Sequence, residues 1–476
     1  MMAEPWSLVM DEQLYRQLTV HLFPGDFDEH GAVIAAGVAA SGRGTRLLAR
    51  ELFIARDGVE FVPGRRGYRM LTAEFVRDRI RHCRDERLAY LAVHNHHGRD
   101  QVEFSDPDNA SHERGYPALL DISGQPVGAL VLAENALAGD IWTEDRARRA
   151  INETIVVGRN LKRVYPSPPP RPPAADATYD RQVRWFGDRG QELLGRVKVA
   201  VIGAGGVGLP LVTMLARLGV GHVLVVDPER VEPINLPRLP EARRLDAMTP
   251  LHALGLHPVA NRLSTRKLRL ARRAVRRANR HTRFTGIPLN VIEPAAAHAL
   301  TDADFIFLAA DSHQARMVFN AVTQQYLIPG IQLGTRIDVD ADTGVVGDIR
   351  SNVRLVLPHS GCLRCNMLIS PSRLQDEARD PKERARNRYV AEIPAPSVIT
   401  FNTAIAAQAA SDFLLMLGGL MEDIAPIDYL RVRPRRRQWE PIGVLPDKPG
   451  CGDCGSASTS RRARGDRAEL PLPERT

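Results

Sequence analysis

The sequence contains few cysteines, few lysines and no long apolar run, and these shortages narrow what it can encode. Five cysteines in 476 residues are too few for a secreted protein held together by disulfides. No stretch of about 18 apolar residues is present, which excludes a membrane-spanning helix of the usual kind. The first residues lack the basic and apolar regions of a secretory leader, so we expect a cytoplasmic protein.

The rest of the composition is that of a globular protein. Hydrophobic residues make up 44% of the chain and charged residues 25%, and the length predicts about three domains, or two large ones with linkers. Only five of the 64 basic residues are lysines, so the net charge of +8 reflects arginine. In the arginine-rich stretch 272–283, apolar residues recur at helical spacing. This pattern favours a solvated helix face over a nucleic-acid site.

A proline-rich stretch divides the chain. Residues 165–177 have almost nothing to bury and predict an extended linker between an N-terminal domain (1–164) and a C-terminal domain (178–455). Residues 456–476 are polar and lack apolar periodicity, which predicts a disordered tail.

Both domains are predicted to be of the α/β class. In the N-terminal domain, strand-like and helix-like runs alternate. The strand-like runs cover 31–40, 47–53, 88–93 and 126–132, and the helix-like runs cover 72–84 and 145–164. In the C-terminal domain, short buried strands alternate with helical patterns, which predicts a Rossmann-like, doubly wound parallel sheet.

A glycine-rich turn opens the C-terminal domain between a predicted strand and a predicted helix. Its glycines are Gly203, Gly205, Gly206 and Gly208. They allow the backbone to approach a phosphate at the N-terminus of the helix. Asp227 follows Gly208 by 19 residues, the spacing of a carboxylate that binds ribose hydroxyls. This fingerprint predicts a nucleotide site but does not separate nicotinamide or flavin from ATP.

Four residues beyond the fingerprint favour a triphosphate. Asn235 and Arg238 come just past the second predicted strand, Lys267 opens a later predicted helix, and Asp311 lies at the end of another apolar strand. Ligands of open parallel sheets bind at such strand ends. Cationic side chains neutralise phosphate charge, and a carboxylate holds magnesium. A dehydrogenase needs neither.

With these motifs, residues 180–455 resemble the ThiF/MoeB and ubiquitin-activating adenylyltransferases. The resemblance implies that Asp227 contacts the ribose, that Asn235, Arg238 and Lys267 contact the phosphates, and that Asp311 holds magnesium. It also implies a homodimer in which Arg181 reaches into the partner's site. The reaction would join the C-terminal glycine carboxylate of a ubiquitin-like protein to the α-phosphate of ATP.

Several positions depart from the family pattern. Glu229 stands where a second aspartate is usual, and Leu239 stands where a glutamine usually follows the arginine. Lys267 follows Arg238 by 29 positions, and this interval includes an insertion. Lys267 is therefore either a phosphate ligand or an ordinary lysine on a helix surface.

The cysteines form two Cys-x-x-Cys pairs, Cys362 with Cys365 and Cys451 with Cys454. Four thiolates satisfy a structural zinc ion. However, Cys451 follows Cys365 by 86 positions, and a redox pair is the alternative. Cys83 is then left over and is interpreted as a small buried hydrophobic residue.

The predicted crossover region, residues 385–403, contains no cysteine that could form a thioester. The reaction therefore either stops at the adenylate or transfers the acyl group to a hydroxyl. Ser397 and Thr400 are the hydroxyl candidates, although a loop or helix-cap role for Ser397 is the ordinary interpretation.

The N-terminal domain contains a second constellation. A predicted strand leads into His94-x-His96, whose side chains share one face, and Ser105-x-x-Asp108 follows. Two histidines and an aspartate leave a fourth zinc position for water, as in catalytic zinc sites. The alternative is a histidine-rich loop without metal, since His97 and His112 lie nearby.

These residues resemble the JAMM/MPN metallopeptidases, which remove ubiquitin-like proteins from conjugates. The resemblance implies that His94, His96 and Asp108 bind zinc, that Glu29 deprotonates the zinc-bound water, and that Ser105 stabilises the oxyanion. The usual His-Ser-His-Pro reads His-Asn-His-His here, with one extra residue before the serine.

Together the two resemblances imply an enzyme that activates a ubiquitin-like protein and also trims or removes it. A ubiquitin-conjugating-type enzyme would then be a further partner, whereas no membrane partner is expected. One alternative is activation and trimming of a sulfur-carrier protein. Another is a regulator that binds nucleotide without catalysis.

Overall fold

The structure is a computed structural model, and it describes residues 5–62, 70–340, 343–358, 360–379, 396–422 and 428–473. The chain forms two compact units. The N-terminal unit comprises Met1–Arg171 with Gln324–Leu327 and Lys448–Glu469, and the remaining residues form the C-terminal unit. Within the described residues, no helix combines the length and the apolar character needed to cross a bilayer.

The N-terminal unit is built from ten strands and three helices among the described residues. The strands are β1 (Trp6–Asp11), β2 (Gly31–Ser41), β3 (Gly44–Ile54), β4 (Phe61–Val62), β5 (Met70–Leu71), β6 (Ala89–Asn95), β7 (Val127–Leu132), β8 (Leu137–Trp142), β9 (Arg148–Val157) and β10 (Leu161–Val164). The helices are α1 (Glu12–Leu22), α2 (Ala73–Glu86) and α3 (Asp106–Ser123).

Its main sheet has the order β1-β3-β2-β6-β7-β8-β9-β10, and β1 also pairs with β9. Both faces of the sheet are buried. One core cluster includes Leu14 and Leu18 of α1, and the other includes Phe75 of α2 and Tyr116 of α3. The sheet thereby holds the end of β6 and the start of α3 in fixed positions.

The strands predicted over 31–40, 47–53, 88–93 and 126–132 and the helix over 72–84 are confirmed. The helix predicted over 145–164 is wrong, because this segment forms β9 and β10. Ile151, Thr154 and Ile155 lie in a β-branched run that favours a strand. Pairing of β9 with β1, β8 and β10 then outweighs the local helical pattern.

The segment after Cys454 also differs from the prediction of a disordered tail over 456–476. Residues 448–469 belong to the N-terminal unit rather than to the C-terminal domain predicted to end at 455. The backbone N–H of Asp466 donates to Val38 O at 2.8 Å, and Arg464 pairs with Glu86 at 2.5 Å. The segment buries little apolar surface, but polar contacts fix it in place.

Arg50 is the main anchor of this segment. Its side chain is 2% exposed and donates to the backbone oxygens of Ala457, at 2.9 Å, and Arg462. Burial lowers the pKa of Arg50 to about 10. A buried guanidinium needs acceptors, and the carbonyl groups of the C-terminal segment supply them.

The C-terminal unit contains the remaining elements. Its strands are β11 (Lys198–Ile202), β12 (His222–Val226), β13 (Arg283–Ile287), β14 (Phe305–Leu308), β15 (Gly330–Val339), β16 (Val346–Val356), β17 (Tyr429–Arg433) and β18 (Gln438–Ile442). Its helices are α4 (Asp180–Arg196), α5 (Gly208–Leu218), α6 (Thr249–Ala253), α7 (His257–Leu263), α8 (Lys267–Ala278), α9 (Pro294–Leu300), α10 (His313–Gln325), α11 (Pro371–Ala378) and α12 (Ile399–Leu417).

The sheet of this unit has the order β13-β12-β11-β14-β15-β16-β17-β18. The first five strands are parallel, and the last three are antiparallel. The predicted doubly wound sheet is therefore confirmed, with an antiparallel extension that was not predicted. The chain reverses its winding between β11 and β14, and ligands of such sheets bind at that point.

Candidate functional sites

The glycine loop follows β11 at the reversal point. Gly203 has φ +99° and donates its N–H to Val226 O at 2.9 Å. A Cβ on Gly203 would lie 3.1 Å from Ala309 O, and a Cβ on Gly208 would collide with the carbonyl of Gly203. Larger residues at these two positions would therefore push the loop away from the ends of β11 and β14.

Gly205, in the middle of the loop, differs from these two glycines. A Cβ on Gly205 would meet no atom within 4 Å, so packing among the described residues does not require a glycine there. Its carbonyl oxygen accepts the N–H of Leu209 at 3.0 Å, at the start of α5. Contact between the Gly205 backbone and a phosphate stays a prediction.

Asp227, directly after β12, is tied to this loop. Its carboxylate accepts the N–H of Ala204 at 2.6 Å and the N–H of Glu229 at 2.8 Å. Burial raises the pKa of Asp227, while the bond from Ala204 and the charge of Lys267 act in the opposite direction. The structure thus places Asp227 against the glycine loop, next to the predicted phosphate site.

Arg238 lies beside the loop, at the end of a 3-10 helix over Pro233–Arg238. A Cβ on Gly206 would lie 3.5 Å from Arg238 Cβ and 2.7 Å from Nδ2 of Asn402. Asn402, near the start of α12, was missed by sequence reasoning. The surrounding sequence offered no signal for it beyond a polar residue in an apolar helix.

Lys267 is buried, with its side chain 8% exposed, and forms an ion pair with Glu229. The interpretation of Lys267 as an ordinary surface lysine is therefore wrong. Asn235 is also buried, and its side-chain oxygen accepts the N–H of Glu232 at 3.2 Å. The unusual Glu229 thus has a local role: it pairs with Lys267 and neutralises a lysine that could otherwise bind phosphate.

Asp311 is exposed and follows β14 by three residues. Arg316 lies on the first turns of α10. Burial lowers the pKa of Arg316, and the negative charge of Asp311 acts against this. Glu377 of α11 accepts the N–H groups of His313 and Gln314 at 2.9 and 2.8 Å. Sequence reasoning missed Arg316 and Glu377, although the five-residue spacing from Asp311 to Arg316 was a usable signal.

The remaining predictions for this unit concern exposed positions. Arg181 is exposed on α4. Ser397 Oγ accepts a hydrogen bond from Asn402 Nδ2 at 2.9 Å, and Thr400 is exposed on the first turn of α12. Most of the predicted crossover region, residues 385–395, lies outside the described residues.

The two Cys-x-x-Cys pairs meet. The sulfur atoms of Cys362, Cys365, Cys451 and Cys454 all lie within 4.8 Å of one another. Four sulfurs bound to one zinc ion at about 2.3 Å are separated by about 3.8 Å, so this group can hold zinc. Cys83 is buried in α2, and burial raises the pKa of its thiol to about 12, which makes it unreactive.

The N-terminal unit also assembles its predicted metal ligands. Nε2 of His94 lies 3.2 Å from Nε2 of His96. Asp108 Oδ2 lies 3.5 Å from the first of these nitrogens and 3.3 Å from the second. Ligands about 2.05 Å from a tetrahedral ion are about 3.3 Å apart, so all three distances suit one metal ion.

The ionisation of Asp108 fits the same interpretation. Burial opposes ionisation of Asp108, but hydrogen bonds with His94, His96 and Ser105 hold its pKa well below the usual range. The hydrogen bond to Asp108 raises the pKa of His96. Asp108 is therefore an anion at neutral pH, as a zinc ligand must be.

Glu29 and Ser105 border this cluster. Glu29 Oε1 lies 3.9 Å from Nε2 of His96, and both side chains are 20% exposed. Ser105 caps α3, and its hydroxyl donates to Asp108 Oδ2 at 2.6 Å. Sequence reasoning therefore named five residues that the structure brings together from β6, α3 and the loop before β2.

Comparison with known proteins concerns the C-terminal unit. The sequence profile of the ThiF family matches residues 179–453. A sulfur carrier protein adenylyltransferase of Thermus thermophilus is 40% identical over 87 residues, 15% of this chain and 32% of that protein. The sulfur carrier protein ThiS adenylyltransferase of Bacillus subtilis is 29% identical over 153 residues, 32% of this chain and 41% of that protein.

A SAMP-activating enzyme E1 of Haloferax volcanii is 26% identical over 179 residues, 38% of this chain and 56% of that protein. The chain thus spans less than two thirds of the length of each of these relatives. The profile match nevertheless covers more than half of the chain, and it contains the glycine loop, Asp227, Arg238 and Asp311 in order. The chain belongs to the ThiF family.

Proposed function

We propose that the C-terminal unit adenylates the C-terminal glycine of a ubiquitin-like carrier protein with ATP. The observation that carries this proposal is the family match over 179–453. The glycine loop, Asp227 and Arg238 within that region meet at the reversal point of the sheet. The relatives named above act, by their names, on sulfur carriers or on SAMP proteins, which supports a small carrier protein as the substrate.

The proposed chemistry is one phosphoryl substitution. A carboxylate oxygen of the carrier forms a bond to the α-phosphorus, the bond to the bridging oxygen breaks, and pyrophosphate leaves with the electron pair. Arg238, beside the glycine loop, stabilises the negative charge on the phosphate, and the Asp227 carboxylate accepts hydrogen bonds from the ribose hydroxyls. Asp311, at the open end of β14, would hold the magnesium that accompanies ATP.

Lys267 can contribute once its contact with Glu229 is exchanged for one with phosphate. The buried position of Lys267, near Asp227, supports a role at the nucleotide. We further propose that the active form is a homodimer to which Arg181 of each chain contributes, as the resemblance implies.

ATP–pyrophosphate exchange tests this proposal. Full-length protein is assayed with each small glycine-terminated protein encoded beside the gene. Arg238→Ala and Asp311→Ala are each expected to lower the exchange rate at least about 100-fold. Arg217→Ala, which changes an exposed residue at the far end of α5, should leave the rate unchanged. Exchange at the wild-type rate in Arg238→Ala would contradict the assigned site, and no exchange from folded wild-type protein would favour the regulator that binds nucleotide without catalysis.

The fate of the activated carrier separates the two versions of this function. A sulfur carrier ends as a thiocarboxylate, whereas a protein modifier ends as an amide on a target. The names of the bacterial relatives favour the sulfur carrier. Mass spectrometry of the carrier after incubation with ATP and a sulfur donor, or with a ubiquitin-conjugating-type enzyme, distinguishes the two.

We propose, as a second activity, a zinc-dependent peptidase of the JAMM type in the N-terminal unit that trims the carrier or releases it from conjugates. The three ligand distances of 3.2, 3.5 and 3.3 Å support it. Zinc at this site would lower the pKa of a bound water. In this proposal Glu29 accepts the proton of that water, and the Ser105 hydroxyl donates to the oxyanion once it leaves Asp108.

A carrier with a short C-terminal extension tests the peptidase. The zinc-loaded chain is expected to cleave after the terminal glycine, and Glu29→Gln is expected to remove cleavage while retaining zinc. Glu134→Gln, in an exposed loop of the same unit, is the matched control. Stoichiometric zinc with no cleavage of any extended carrier would contradict the peptidase and leave a structural metal site.

A further inference from the structure

Two residues of the N-terminal constellation depart from the metallopeptidase pattern, and both contact the loop that carries Glu29. The usual His-Ser-His-Pro is replaced here by His94-Asn95-His96-His97. The departures are therefore Asn95 and His97. Neither is needed as a metal ligand, since His94, His96 and Asp108 complete the ligand set.

Asn95 holds one end of the loop. Its Oδ1 accepts the backbone N–H of His30 at 2.6 Å, and Asn95 is only 3% exposed. His30 directly follows Glu29 in the chain and is itself 4% exposed. This contact joins residues 65 positions apart, so it fixes a loop that local sequence does not determine.

His97 holds the other end. Its Nε2 lies 3.0 Å from the carbonyl oxygen of Phe27. A carbonyl can only accept, so the imidazole donates from Nε2. The two contacts lie on either side of Glu29, and within the loop Nε2 of His30 lies 2.9 Å from Asp26 Oδ1.

We propose that Asn95 and His97 are positioning residues that hold the loop 26–30, and with it the Glu29 carboxylate, beside His94, His96 and Asp108. The inference rests on the proposed peptidase function. A serine at 95 has a shorter side chain, and a proline at 97 has no donor for a carbonyl, so the usual motif residues cannot make the same contacts. A general base displaced by about 1 Å loses much of its catalytic efficiency, so contacts that fix the position of the Glu29 carboxylate should raise the rate of cleavage.

Amide hydrogen exchange tests the hydrogen bond between Asn95 and the His30 amide directly, without metal or substrate. In full-length protein, Asn95→Ala is expected to speed exchange of the His30 amide roughly tenfold, because that N–H loses its acceptor. Asn95→Asp keeps an acceptor oxygen and is expected to restore protection. Asn135→Ala is the matched control: its side chain donates to Asp100 Oδ1 at 3.0 Å in another loop of the unit and should leave His30 unchanged.

Kinetics test the positioning role. Asn95→Ala and His97→Ala are each expected to lower kcat for cleavage of an extended carrier about 10- to 100-fold, with KM and zinc stoichiometry unchanged. His97 is exposed, so His97→Ala keeps the test available if the buried Asn95 variant fails to fold. Unchanged exchange at His30 or an unchanged kcat would overturn the proposal. If wild-type protein cleaves nothing, the peptidase function fails. The amide hydrogen exchange experiment still decides whether Asn95 holds the His30 amide.

Discussion

The two units assemble their candidate sites in different ways. In the N-terminal unit, the side chains themselves converge, and His94, His96 and Asp108 already lie at the spacing that one ion requires. In the C-terminal unit, the backbone of the glycine loop forms most of the candidate site, and Lys267 is paired with Glu229 rather than with a ligand. Under the two proposals, the first site needs only a metal ion, whereas the second must exchange an ion pair when ATP binds.

Removal of a histidine ligand should give the largest effect. His96→Ala is expected to weaken zinc binding at the N-terminal site by at least about 100-fold, because loss of even an outer-shell partner costs 10- to 100-fold. Competition with a chromophoric chelator measures it. Zinc at the cluster of four cysteines is expected to stay bound and to serve as an internal reference. Loss of both ions would show a folding defect.

Removal of Arg238 should break the second site through charge. Arg238→Ala is expected to lower kcat for adenylation about 10²- to 10³-fold, since one donor to developing charge contributes that much. Steady-state pyrophosphate release gives the rate. Arg238→Lys retains the positive charge and should recover part of the lost adenylation rate. Equal rates in both variants would argue against an electrostatic role.

Deletion of residues 456–476 tests whether the C-terminal segment supports the N-terminal unit. The deletion leaves the buried Arg50 guanidinium without its carbonyl acceptors, so the free energy of unfolding of this unit should fall by roughly 3 kcal/mol. Urea denaturation followed by fluorescence measures the change. Arg50→Met in the deleted chain should recover part of the loss, and an unchanged midpoint after deletion would show that the segment contributes nothing.

The ion pair that covers Lys267 should give the smallest effect. Glu229→Gln frees the buried Lys267 for phosphate and is expected to lower the KM for ATP by up to about fivefold. Glu229 itself is exposed, and water screens a pair with an exposed partner to about 1 kcal/mol. Glu241→Gln, which breaks the pair of Glu241 with Arg277, is the control. A higher KM in Glu229→Gln would mean that Glu229 positions the lysine rather than restrains it.

The predictable parts of this protein are those governed by local sequence. The glycine loop, Asp227 and the His94/His96 pair follow from strand and turn patterns, and the parallel order of the C-terminal sheet follows from alternating strands and helices. A motif does not show which of its glycines are crowded, and Gly205 has open space where Gly203 and Gly208 do not. The helix predicted over 145–164 is wrong because pairing with β1 and β8 outweighs local propensity.

The unpredicted parts depend on contacts between residues distant in the sequence. Asn402 approaches Gly206 across nearly 200 positions, and Glu377 reaches the start of α10 from α11. The C-terminal segment is held by Arg50, about 400 residues earlier in the chain. The sequence of the segment itself does not predict this contact. Such contacts are fixed by the topology, which single-sequence patterns do not give.

The most direct test of the central claim compares two forms of one carrier. ATP–pyrophosphate exchange is measured with full-length, zinc-replete protein, using the carrier encoded beside the gene and the same carrier without its terminal glycine. If this chain adenylates the C-terminal glycine, exchange occurs with the intact carrier and not with the shortened one. Equal exchange with both, or none with either, would contradict adenylation of a C-terminal glycine by this chain.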